Sequence, residues 1–266
     1  MKINFFRFLL LICMAFVFSC GPGDSRTEYF DLAEECLISG KIAEASHYYE
    51  LFLEDENDPE QRYTAWERLL FIHLDLASDV DRGLNILRSM SMEFDQDPER
   101  MWSIYSRISD LYLLKNNHQN SLETIRKAMK ITRDPETVFR ARLKIAEIHY
   151  LNTDYHASAQ TLVKALDMEN IPQDSGRAEA SLMLGRVYLQ QENFSQAAHY
   201  LKKAYDSEIA SPSLRSRAGL LLYEAYTAGD EPDKAEQLIH QLKDIHPNPR
   251  VMDVMMREMD QQSPEG

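Results

Sequence analysis

The chain has 266 residues, 44% hydrophobic and 27% charged, with only nine glycines and ten prolines, the composition of a folded globular chain rather than a disordered one. Its net charge of -14 disfavours a phosphate-binding surface, and with it nucleic acid. The excess acid suits basic partners or solubility alone.

Residues 1–20 read MKINFFRFLLLICMAFVFSC. Lys2 and Arg7 introduce an uncharged apolar run, Phe8 to Phe18. That run is too short for a membrane span of about 20 apolar residues and has the length of a secretory signal. Its end, Val17-Phe18-Ser19-Cys20, resembles the lipobox of bacterial lipoproteins, although Phe18 is bulkier than usual there. The resemblance implies a signal peptide over 1–19 and Cys20 as the first mature residue, acylated (palmitate-type chains) and anchored to a membrane, with 20–27 as a lipidated tether. Several acyl chains hold where one would be reversible. Gly21, standing where aspartate would favour inner-membrane retention, points to the outer membrane and a periplasm-facing chain. Cys36 is then left without an intramolecular partner, on an apolar helix face, and reads as a buried structural thiol.

From residue 28 onward the chain repeats itself. Small residues recur at Ala45, Gly83, Ser121, Ser158, Ala197 and Ala235, at intervals of 38, 38, 37, 39 and 38. Such a period marks a stack of structural units, each burying its apolar face against the next. The fifth unit is the clearest. Leu184, Val187 and Tyr188 form one apolar helical face, Asn193 breaks the run, and Phe194, Ala197, Ala198, Leu201 and Ala204 form a second. An independent series falls in the same phase: Asp58-Pro59, Asp97-Pro98, Asp134-Pro135, Ser211-Pro212 and Asn248-Pro249, with Asp174-Ser175 at the remaining boundary. Each Pro-bearing pair joins an N-cap side chain to proline at the first helical position.

The order Leu184, Gly185, Tyr188, Ala197, Leu201, Ala204 resembles the tetratricopeptide repeat. The third unit (Ile108, Ser109, Tyr112, Ser121, Ile125, Ala128) and the fourth (Ile145, Ala146, Tyr155, Ser158, Leu162, Ala165) are similar to it. The first and sixth match less fully, and the second, with Leu70, Leu74, Gly83 and Leu87, is the most degenerate. The resemblance implies an all-α fold, a right-handed α-solenoid of about six helical hairpins over 28–247, with units at about 28–57, 58–96, 97–133, 134–170, 174–210 and 211–247. The period exceeds the family's usual 34 by about one helical turn, which predicts longer first helices. Over 248–266 a methionine-rich amphipathic stretch (Val251, Met252, Val254, Met255, Met256, Met259) reads as a C-terminal capping helix and tail, or as a docking surface.

Motifs for chemistry are missing. Eight histidines form no His-Glu-x-x-His, and there is no Cys-x-x-Cys, glycine-rich phosphate loop or Gly-x-Ser-x-Gly. No metal, cofactor or enzymatic activity is expected.

In tetratricopeptide proteins the first helices line the concave side. By that resemblance the candidate groove is read in rows. Phe30, Arg68, Leu143, Leu182 and Leu220 belong to the first row. Glu34, Ile72, Asp110, Glu147, Arg186 and Glu224 form the second. Leu113, Tyr150 and Leu189 belong to the third. Four of six second-row positions are acidic, which predicts a peptide or protein partner with apolar anchors and basic residues. The clamp of lysines and asparagines with which chaperone-binding members hold a terminal carboxylate is not supplied by this row. The expected role is an envelope-anchored interaction scaffold or adaptor. The alternatives are a component of outer-membrane barrel assembly, whose repeat lipoprotein has a similar architecture, and a small-ligand-binding companion of a transporter.

Overall fold

The computed structural model describes residues 25–168 and 175–245. The expected signal peptide, Cys20, the expected tether up to residue 24, Asp174, and everything from 246 on, including Asn248-Pro249 and the methionine-rich stretch, lie outside the described residues. The chain divides into two compact units, Met1–Phe94 and Asp95–Gly266. Every described element is helical.

The N-terminal unit holds two hairpins. Helices α1 (Ser25–Ile38) and α2 (Ile42–Asp55) form the first. Helix α3 (Pro59–Leu70), continued by a π segment over Phe71–Leu76, and α4 (Val80–Glu93) form the second. The C-terminal unit stacks four more: α5 (Pro98–Leu114) with α6 (His118–Ile131), α7 (Pro135–Leu151) with α8 (Tyr155–Leu166), α9 (Ser175–Gln190) with α10 (Phe194–Tyr205), and α11 (Pro212–Ala228) with α12 (Pro232–Ile245). First helices here run 16–17 residues and second helices 12–14, so the additional residues of the period lengthen the first helices.

Local chemistry sets the boundaries. The Asp58, Asp97, Asp134 and Ser211 side chains accept backbone N–H bonds at the starts of α3, α5, α7 and α11, each with proline next in sequence. Inside the hairpins a second device recurs. Gly40, Ser78, Asn116, Thr153, Glu192 and Asp230, one per hairpin, have φ between 54° and 75°. At Asn116, for example, Asn117 N–H donates to Tyr112 C=O and Asn116 N–H to Leu113 C=O, both at 2.8 Å, closing α5 in a Schellman-type cap. The next residue then caps the second helix: Asp79, Asn117, Asp154 and Asn193 accept from the N–H three residues on. One helix end and one helix start thus share two residues, which keeps the turn tight.

The recurring small residues lie where paired helices touch. Ala45, Gly83, Ser121, Ser158, Ala197 and Ala235 are all buried. Ser121 Oγ lies 2.7 Å from Ser109 Oγ, and Ser158 Oγ donates to Ala146 C=O at 2.8 Å, so each hydroxyl is satisfied across the hairpin. On the facing side a Cβ at Gly185 would overlap the Leu201 side chain and stand 3.3 Å from Ala197 C=O. The apolar faces close around these contacts: Leu143, Ala146, Leu162, Leu184 and Val187 share one cluster, and Leu182, Leu201, Leu222 and Leu242 another. Cys36 is buried and free, and burial, reinforced by Glu44, pushes its thiol pKa up.

In the second hairpin the π segment takes up one residue more than an α-helical path would. Asp79 N–H reaches His73 C=O at 2.6 Å, six residues back instead of five. Leu74 then lies directly on Gly83, where any Cβ would overlap it.

Candidate binding surface

The N-terminal unit turns its predicted groove residues to structural use. Phe30 packs edge-on against Tyr49 and Phe52, with ring centroids 5.4 and 5.1 Å away. Glu34 accepts the Tyr49 hydroxyl at 2.6 Å and pairs with Arg68 Nε at 2.7 Å. Burial first, then the Glu34 hydrogen bond and charge, raise the Tyr49 pKa well above that of a free phenol. Ile72 is only 1% exposed and belongs to the core. It lies in the π segment, whose wider turn takes side chains out of the 3.6-residue phase that placed it in the groove. A second network ties the ends of this unit's helices together. Arg62 donates to Leu53 and Glu56 carbonyls and to Glu93, which also accepts Trp66 Nε1–H at 3.0 Å. Burial raises the Glu93 pKa, but the Arg62 and Trp66 hydrogen bonds outweigh it and hold the carboxyl below its ordinary range.

In the C-terminal unit the first helices enclose a cavity of about 430 Å³. Trp102 from α5 and Leu214 and Arg217 from α11 stand among its lining residues. Between them α7 supplies Arg140, Leu143, Lys144, Glu147, Tyr150 and Leu151, and α9 supplies Glu179, Leu182, Met183, Arg186 and Val187, with Ser158 from α8. Five predicted groove residues therefore meet at one site: Leu143, Glu147, Tyr150, Leu182 and Arg186. Leu143 and Leu182 are 9% and 3% exposed and form part of its apolar wall while packing into the core. Leu189 is buried in the cluster of the last two hairpins, with Leu220 packed against that cluster, and Leu113 packs against the α6–α7 core. Glu224 is exposed and does not border the cavity.

The charge of this surface differs from the expectation. Asp110 is held by Lys144 Nζ at 2.5 Å, just as Glu34 is held by Arg68. In both pairs the cation sits on the first helix of the next hairpin, so two acids of the predicted row are neutralised within the fold. Four cations border the cavity, Arg140, Lys144, Arg186 and Arg217, against the carboxylates Glu147 and Glu179. Around this cavity the acidic excess of the predicted row is not kept, because a row followed one residue per unit leaves out the cations beside it. Arg140, Glu179 and Arg217 lie seven residues nearer the helix starts than Glu147, Arg186 and Glu224, in a parallel row of their own. Their own 39- and 38-residue spacing could have revealed them. Arg186 lies over Tyr150, its Cζ 5.1 Å from the ring centroid.

Among the described residues no group of three or more His, Cys, Asp or Glu side chains is placed to hold a metal ion. No described helix is long and apolar enough to cross a membrane. His149, at the motif position usually held by an aromatic, is half-buried. Burial lowers its pKa, although Asp154 Oδ2 lies 3.6 Å from Nδ1 and favours the charged ring.

Comparison with known proteins agrees with this architecture. The tetratricopeptide repeat matches over residues 143–214 and 182–248, and again over 103–135. The chain belongs to the tetratricopeptide-repeat family, a class that works as a scaffold for protein–protein interaction. Among solved structures it is similar to the C-terminal part of a repeat-containing protein from Cytophaga hutchinsonii, at 17% identity over 87% of this chain and 88% of that one, TM-score 0.62. It is similar also to BtubC from P. vanneervenii, at 16% identity, 85% and 96% coverage, TM-score 0.59. PilW, described as a widely conserved type IV pilus biogenesis factor, matches at 17% identity, 88% and 99% coverage, TM-score 0.56. These likenesses concern the fold. No curated protein matches the sequence.

Proposed function

We propose that this chain is an envelope-anchored scaffold: Cys20 is lipidated, the hairpins face the periplasm, and a protein partner docks in the cavity of the C-terminal unit. It acts by holding its partner and performs no catalysis of its own. The observation that carries this reading is the cavity itself, built from four successive first helices with apolar side chains beneath a charged rim. Such a mixture of apolar lining and few convergent polar groups is what recognition sites present. Membrane attachment rests on the lipobox-like Val17-Phe18-Ser19-Cys20. A photoactivatable amino acid at Met183, on the cavity wall, crosslinks an envelope protein in intact cells under this reading. The same probe at Lys130, exposed on α6, does not. Recovery of nothing from Met183, or of the same proteins from both positions, refutes it.

A further inference from the structure

We infer that the cavity of the C-terminal unit takes an acidic segment of its protein partner, with carboxylates at Arg186 and Arg217 and an apolar side chain against Leu143, Leu182 and Leu214. This rests on the scaffold reading above and supplies the chemistry of its partner.

The four cations on the lining are not all paired. Lys144 is engaged with Asp110 at 2.5 Å, and Arg140 with Glu136 at 3.3 Å. Arg186 and Arg217 have no ion-pair partner among the described residues. A chain of net charge -14 has carboxylates in excess, yet it leaves these two guanidinium groups facing one cavity. Arg186 is backed by Tyr150, which steadies the planar group and leaves its edge N–H donors free for a carboxylate. A basic segment could reach Glu147 and Glu179 on the same lining, but it would press its own cations against these two guanidinium groups and leave both without a counter-charge.

The shape favours a chain segment over a compact small molecule. The lining runs from Trp102 on α5 to Arg217 on α11, across four successive first helices. A run of side chains drawn from four elements in succession offers a track for an extended segment, with an anchoring contact on each helix in turn.

The test is a selection of random displayed peptides on the detergent-purified full chain, repeated on R186Q/R217Q. Asp and Glu are enriched among the retained peptides, and a representative peptide binds the double variant at least tenfold more weakly, with thermal unfolding unchanged. Should the double variant fail to fold, Arg217→Gln alone, at an exposed position, serves, and weakens binding several-fold. Retained peptides without acidic enrichment, or acidic peptides that bind wild type and variant equally, overturn the assignment. If such peptides still compete with crosslinking from Met183, the scaffold reading stands while the acidic partner falls.

Discussion

At the scale of single residues, the hairpin turns carry strain that can be removed. Thr153 is β-branched and sits at φ 58°, in the left-handed region that glycine adopts freely. Its counterpart in the first hairpin, Gly40, at φ 75°, has that freedom. Thr153→Gly is expected to stabilise the chain by roughly 1 kcal/mol in urea denaturation; an equal loss would show that the threonine side chain contributes more than its backbone costs. His149 gives a pH-dependent counterpart. Its folded pKa is lowered by burial, and Arg126 adds to this against Asp154. The contribution of the neutral ring is complete above the unfolded value of about 6.5 and is lost as pH falls through the lower folded value. Stability therefore declines on acidification below about pH 6.5, and His149→Tyr, which restores the motif's aromatic, flattens that decline. An unchanged slope between pH 7 and 5.5 would assign the acid sensitivity to other groups, His73 being the next candidate, since burial and Arg82 lower its pKa as well.

At the scale of elements, packing between paired helices explains what could be read from sequence and what could not. The period was legible because close helix contact tolerates only small side chains, and that requirement returns in every hairpin. Helix starts were legible because a capping aspartate or serine followed by proline has a single local meaning. The left-handed turn residues were not: only one of the six is glycine, so the backbone conformation is imposed by the flanking helices. The π segment was equally silent, because the 38-residue spacing from Ala45 to Gly83 absorbs its additional residue. Ile72 was misplaced for that reason. The contact at Gly185 provides the element-scale prediction. Gly185→Ala forces its methyl onto Leu201 and toward Ala197 C=O, and such overpacking costs about 1–3 kcal/mol. Alanine is the better helix former by about 1 kcal/mol, so a net gain in stability would mean that α9 and α10 separate more easily than their contacts indicate. Pairing Gly185→Ala with Leu201→Val, which returns volume to the same contact, should recover part of the loss.

At the scale of the whole molecule, the repeat and the N-terminus answer different questions, and the groove answers a third. Five of fourteen predicted groove residues meet at one cavity because helical phase alone decides which faces converge. The sign of the surface was not legible from that phase. Ion pairs between successive first helices, Glu34 with Arg68 and Asp110 with Lys144, cancel acids that a row-by-row reading counts as free. The proposed membrane attachment at Cys20 turns on anchoring strength. One acyl chain gives only reversible membrane association, whereas several together give stable attachment. The described helices offer no spanning segment to substitute for them. Cys20→Ala is therefore expected to abolish acyl labelling and to release the mature chain, or leave it uncleaved behind its signal, with no change in the thermal unfolding of the hairpins. A variant that retains both acyl label and membrane partition would move the anchor away from Cys20. Crosslinking from Met183 in the same cells then separates address from recognition: a Cys20→Ala chain that folds but loses its crosslinked partner needs the membrane to meet it, whereas one that keeps the partner carries its specificity in the cavity alone.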